Sequence, residues 1–175
     1  MENNAEKILS HYEQFFRDYK DVKVFGDENH TLQMLIYDKV FAGCKTVASF
    51  GLSKYLSKQC EVVMAVDAEY ETSTKVLANA LFYAIQNNIQ ISEGSFIEGV
   101  ANIDRQFSEK YGKTAIYFTY PFCFPDEFAQ NGECRFMLAF FITQDEAEYL
   151  KKNGSDAFED YLTDKDCDVF ELNRR

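Results

Sequence analysis

Apolar residues recur at three- and four-residue spacing through Ile8, Leu9, Tyr12, Phe15, Phe16 and Tyr19, which lays one stripe along a helix and predicts an amphipathic α-helix over residues 4–19 capped by Asn3 or Asn4. Four short runs rich in β-branched and aromatic residues follow, Val22 to Phe25, Leu32 to Tyr37, Thr46 to Phe50 and Val62 to Val66, broken by Gly26, Asp27, Gly43 and the polar stretch after Ser53. They predict strands of a largely antiparallel sheet. Val76, Leu77, Ala80, Leu81, Ala84 and Ile85 then form one face of a second helix, with Thr72 or Ser73 as cap and an end near Asn87 or Asn88. Two more strands are predicted at Thr114 to Tyr120 and Phe136 to Ile142. The second is apolar at every residue, as a central strand covered on both faces must be, so helices are expected on each side of the sheet.

Thr143-Gln144-Asp145-Glu146 has the form of a capping box, in which the threonine hydroxyl and the Glu side chain satisfy each other's unpaired amides, and it predicts a third helix that ends at Lys151-Lys152-Asn153-Gly154 with Gly154 as a left-handed cap. Ser155 opens a fourth helix to about Leu162, burying Phe158, Tyr161 and Leu162. The fold class is therefore α+β, a mixed, largely antiparallel sheet with helices on both faces. Regular βαβ alternation is missing, which argues against a doubly wound nucleotide fold.

The chain has 175 residues, no repeat, no low-complexity linker and only Pro121 and Pro125 as prolines, so residues 1–175 are expected to form a single domain. With 17 Phe and 11 Tyr it can build a core without metals or disulfides, and disorder is excluded. The opening MENNAEKILSHYEQ is charged throughout and no stretch approaches the ~20 apolar residues of a membrane span, so a soluble cytoplasmic protein is expected. Cys44, Cys60, Cys123, Cys134 and Cys167 are odd in number and widely spaced, and read as reduced, mostly buried thiols.

Eighteen basic residues against 29 acidic ones give a formal charge of −11, a surface that repels phosphate backbones and argues against direct nucleic-acid binding. Residues 144–171 alone hold ten acids and three bases, a net of −7 in a short C-terminal stretch. That stretch is either a solvated helical face or a docking surface for a basic partner.

Chemistry-bearing motifs are incomplete. Gly51-Leu52-Ser53-Lys54-Tyr55 has only the first glycine of a hydrolase elbow. His11 and His30 are the only histidines and carry no local signature, so both read as surface residues. Asp164, Asp166 and Asp168 alternate like the start of an EF-hand loop, but Val169 stands where glycine is required and Arg175 where glutamate is. Cys123 and Cys134 have no histidine near them, Gly94 and Gly99 lack the pattern of a phosphate cradle, and the carboxylate pairs Glu69/Glu71 and Asp126/Glu127 are expected by chance among 29 acids. No catalytic residue, cofactor or metal is assigned; the residues point to a protein that acts by binding.

The order of segments resembles the suppressor-of-fused (SUFU-like) domain family over roughly residues 20–175. The carriers are Thr46-Val47-Ala48-Ser49-Phe50-Gly51-Leu52-Ser53, Glu61-Val62-Val63-Met64-Ala65-Val66, Ile91-Ser92-Glu93-Gly94 and Phe118-Thr119-Tyr120-Pro121. The strand end Phe141-Ile142-Thr143 with Glu146 and Gly154, and Asp168-Val169-Phe170-Glu171-Leu172-Asn173-Arg174, complete them. The resemblance implies an α+β sandwich without catalytic machinery. In animals the domain binds a transcription factor of the Hedgehog pathway, a role that belongs to a longer protein with a further domain. Short bacterial members are similar to immunity proteins, antitoxins that neutralise a cognate polymorphic toxin by complex formation, and this chain looks like one of those.

Many such toxins are basic nucleases, for which an acidic partner gains association rate from long-range attraction. Local charge density makes Asp145, Glu146, Glu148, Glu159, Asp160, Asp164 and Asp166 the candidate partner contacts. The alternative is a regulatory module that binds a peptide or a transcription factor, with the peptide added beside an exposed strand. A small enzyme using Ser53 or Cys44 with His30 is the third reading.

Overall fold

The computed structural model describes residues 3–174. In chain order its elements are α1 (Asn4–Phe16), β1 (Asp21–Gly26), β2 (Thr31–Asp38), β3 (Lys45–Phe50), β4 (Cys60–Val66), α2 (Tyr70–Gln86), β5 (Phe96–Glu98), α3 (Val100–Ile103), α4 (Arg105–Tyr111), β6 (Lys113–Thr119), β7 (Gln130–Asn131), β8 (Cys134–Thr143), α5 (Gln144–Asn153) and α6 (Ser155–Asp164). The strands form one sheet in the order β1-β2-β3-β4-β8-β6-β5, with β7 paired to the start of β8. Every pairing is antiparallel except β4 with β8.

Side chains alternate across a strand, so a strand apolar at every position must be covered twice. On β8, Met137, Ala139 and Phe141 enter one core with α2, α3 and α4, while Phe136, Leu138, Phe140 and Ile142 enter the other with α1, α5 and α6. β2 divides likewise, Leu32, Met34 and Ile36 to the first core, Leu35 and Tyr37 to the second. The expected α+β sandwich with helices on both faces is the observed one.

Several boundaries differ from the sequence reading. Helix α1 stops at Phe16 because Arg17 turns to φ 64°, which leaves Tyr19 outside the helix and partly exposed. Helix α2 begins at Tyr70 behind a left-handed Glu69, so the expected caps Thr72 and Ser73 lie inside its first turn, with Ser73 buried. Elements β5, α3 and α4 were not predicted; the last two join at Asp104, whose carboxylate accepts from Phe107 N at 2.9 Å. The Thr143–Glu146 capping box is present as expected. Gly154 has positive φ (84°) but extended ψ (171°), so it joins α5 directly to α6 and does not close α5 with a left-handed turn.

Candidate functional site

The residues that carry the sequence resemblance are largely used in holding the fold. Glu61 on β4 is fully buried. Its Oε1 accepts from Gly51 N (3.0 Å) and Ser53 N (3.1 Å), its Oε2 from the Ser49 hydroxyl (2.6 Å) and more weakly from Leu52 N (3.3 Å). The Ser49 hydroxyl also accepts from Val62 N, and the Tyr12 hydroxyl donates to the Ser49 carbonyl, so α1, β3 and β4 meet at this carboxylate. Gly51 sits at φ 102°, a conformation that favours glycine, and starts the 3₁₀ turn Leu52–Lys54 whose free amides Glu61 takes up. Burial pushes the Glu61 carboxyl above its usual range while the donors around it pull the other way.

A second buried cluster fixes the C-terminal segment. Arg174 Nη1 pairs with Glu146, Arg174 Nη2 donates to the Phe141 carbonyl (2.9 Å), and fully buried Lys113 donates to the Arg174 carbonyl (2.6 Å). Leu172 N reaches Asp67 at 3.0 Å. Burial lowers the Lys113 ammonium to about 8.

These placements correct two expectations. Glu146, chosen for charge density, is 6% exposed and engaged by Thr143 and Arg174, so it is internal and offers nothing to a partner. His11, read as a surface histidine, is also 6% exposed, packed between Phe15, Phe128 and Phe136 with Nε2 2.9 Å from the Phe128 carbonyl. Burial depresses its pKa from 6.5. The unfolded chain therefore binds the proton first as pH falls, and the stability that neutral His11 contributes above its unfolded pKa is lost as pH falls through the lower folded value. Urea titrations at about pH 7.5 and about pH 5.5 are expected to show wild type losing stability relative to His11→Phe at the lower pH; an unchanged difference contradicts this placement.

Ser53 is buried within the 3₁₀ turn that Glu61 holds, burial pushes the Cys44 thiol up and away from thiolate, and His30 Nδ1 lies 3.0 Å from Asp27. All five cysteines are free; Cys60 and Cys134 are buried and the other three half-buried. Among the described residues no three His, Cys, Asp or Glu side chains are grouped to hold a metal, and no helix is long and apolar enough to cross a membrane.

The other six candidate acids are exposed: Asp145 and Glu148 on α5, Glu159, Asp160 and Asp164 on α6, and Asp166 just beyond it. Glu159 and Asp166 line a groove of about 430 Å³ whose walls include Phe122, Phe140, Leu162 and Val169. Phe122, in the loop after β6, is 60% exposed. The sequence reading did not single it out; its signal is the apolar Phe-Cys-Phe held between Pro121 and Pro125. Tyr117 and Thr119 on β6 were also missed as site residues: both donate to Glu159 Oε1, at 2.8 and 2.6 Å.

Two larger grooves are less suited to a charged partner. One of about 740 Å³ between the β2–β3 loop and the start of α2 carries both signs, and two of its acids are taken up by the Lys45–Asp38 and Lys110–Glu69 pairs. Another of about 590 Å³ runs from the end of β1 past α2 to the β5–α3 turn; exposed Tyr83 lines it with Asn79, Gln86 and Asn102, and its two carboxylates, Asp27 and Glu98, are already engaged by His30 and Lys151. Of these three, the α6 groove is the one whose exposed aromatic ring stands beside carboxylates, Glu159 and Asp166, that have no ion-pair partner among the described residues.

This mixed, mostly antiparallel sheet with helices on both faces is a fold of the suppressor-of-fused type. The chain belongs to the suppressor of fused protein (SUFU) family, whose pattern matches residues 28–175. It is similar to Immunity protein YqcF of Bacillus subtilis (strain 168), 24% identical over 170 residues that cover 89% of this chain and 86% of the relative. Its fold is similar to that of a SUFU homologue from Neisseria gonorrhoeae FA 1090 (TM-score 0.78, 19% identity, 98% of this chain and 94% of that one). A chain in the Sufu–Fu complex crystal structure also matches (TM-score 0.67, 14% identity, 98% and 90%), as does Drosophila Suppressor of Fused (TM-score 0.62, 14% identity), of which this chain spans 49%.

Proposed function

We propose that this chain is a non-catalytic immunity protein that neutralises a cognate toxin by forming a complex with it, and that the α6 groove with its surrounding acids is the docking face. The observation that carries this reading is the exposed Phe122 beside a groove whose charged lining residues are carboxylates, on a chain of net charge −11. An aromatic anchor at the centre of an interface supplies affinity by burial, and rim charges speed and orient the approach of a basic partner. The name of the Bacillus relative supports the same role. A basic toxin domain is the partner proposed, bound in the cytoplasm, with no role for nucleic acid or membrane contact.

The alternative, a module that adds a partner's extended peptide to a sheet edge, draws on β1, an edge strand with Val24 65% exposed. That edge is blunted: the Asp21 carboxylate accepts from Val22 N at 2.8 Å and Lys23 stands in mid-strand. Co-production with a toxin domain encoded by a neighbouring gene separates the two. The immunity reading expects survival of toxin-producing cells and a complex that purifies at equal stoichiometry; binding of extended peptides without any protection favours the alternative.

A further inference from the structure

We propose that the α6 groove is a receptor for a basic side chain carried next to an apolar one, with Glu159 taking the cation; for the identity of the partner protein this rests on the immunity reading. Tyr117 and Thr119 are alternate residues of β6, so their side chains leave the same face of the sheet toward α6. Both hydroxyls donate to one oxygen of Glu159, Oε1, and the Tyr117 ring is itself locked edge-on against Phe158 and tilted on Phe140. The carboxylate is thus held in one orientation before any partner arrives, which removes most of the side-chain ordering that an ordinary surface glutamate must undergo on binding. Burial and the hydrogen bond to Glu159 keep the Tyr117 hydroxyl protonated far above its usual range, so it stays a donor.

Glu159 forms no ion pair within the described residues, and no lysine or arginine lines the groove, whose second charge is the carboxylate of Asp166. The two lone-pair directions of Oε1 are occupied by hydroxyls, which leaves Oε2 to accept from an incoming ammonium or guanidinium. Phe122, Leu162 and Val169 supply the apolar wall beside it. A groove of about 430 Å³ is at the small end of sites that hold compact ligands, a fit for two neighbouring side chains and not for a helix. Its carboxylates and Cys167 are not grouped to hold a metal ion, and its charge repels phosphate.

The test is a titration of the ¹⁵N-labelled chain with N-acetyl-leucyl-arginine amide and with its citrulline counterpart, which keeps the shape and loses the charge. The arginine peptide is expected to move the amide resonances of Thr119, Phe122, Glu159, Leu162 and Thr163, and to bind about tenfold more tightly than the citrulline peptide. Glu159→Gln should abolish that preference, and Thr119→Val, which removes one orienting hydroxyl at constant volume, should weaken the arginine peptide alone. Unmoved groove resonances, equal affinity for the two peptides, or a preference that survives Glu159→Gln overturns the proposal. Arginine-selective binding in a chain that protects no toxin-producing cell would refute the immunity reading and leave the receptor standing; protection without arginine selectivity does the reverse.

Discussion

Replacing Glu61 by alanine is expected to destabilise the protein by about 4 kcal/mol or more, because three amides and a hydroxyl that now point at the carboxylate would be left buried without an acceptor, at roughly 1–3 kcal/mol each. The donors are Gly51 N, Leu52 N, Ser53 N and the Ser49 hydroxyl, and the removed side chain leaves a void at the junction of α1, β3 and β4. Against a typical total of about 5–15 kcal/mol for a domain, such a loss brings the variant close to unfolding at room temperature. Glu61→Gln keeps the volume and one acceptor oxygen, and is expected to lose about half as much. Urea unfolding of the three proteins checks this; an alanine variant within about 1 kcal/mol of wild type would show that the network is replaceable.

The second large effect concerns the groove. Phe122→Ala removes the exposed ring, and a central aromatic anchor contributes about 2 kcal/mol or more to binding, roughly a 30-fold loss of affinity for the toxin domain. Asp160→Lys with Asp164→Lys reverses two exposed charges one turn apart on α6. Charge reversal on an interface rim acts on the association rate and its salt dependence, so the double variant is expected to associate about tenfold more slowly at low salt and to lose most of that difference at high salt. All three substitutions together should abolish protection of toxin-producing cells while leaving the unfolding midpoint nearly unchanged. Glu71→Lys, on α2 across the sheet, is the control that should retain protection. If the triple variant protects as well as wild type, the partner docks elsewhere.

What could be read from the sequence was what repeats or is chemically specific. The uninterrupted apolar run of β8, the spacing of Val76, Leu77, Ala80, Leu81 and Ala84, and the Thr143–Glu146 capping box each follow from local rules, and each is found in place. Residues 96–111 were missed because β5, α3 and α4 are three, four and seven residues long, too short for a period to show. His11 was misplaced although it stands three residues after Ile8 and one before Tyr12, on the buried side of α1; a polar residue type outweighed a position that pointed inward. Glu146 failed for the converse reason. Charge density counts side chains without regard to direction, and Glu146 lies on the inward face with Ala147 and Leu150, opposite an arginine 28 residues away. The groove was beyond local rules altogether, since it joins the end of β6, the Phe122 loop, α6 and the segment at Val169, and only the fold brings these together.

The most direct test of action by capture alone is a titration of a fixed amount of the cognate toxin domain with this protein, following residual toxin activity. Loss of activity in proportion to added protein, complete at one equivalent and independent of incubation time, is the predicted result. Complete inactivation by a small fraction of an equivalent, progressing with time, would mean that the protein turns over its target, and would contradict the account.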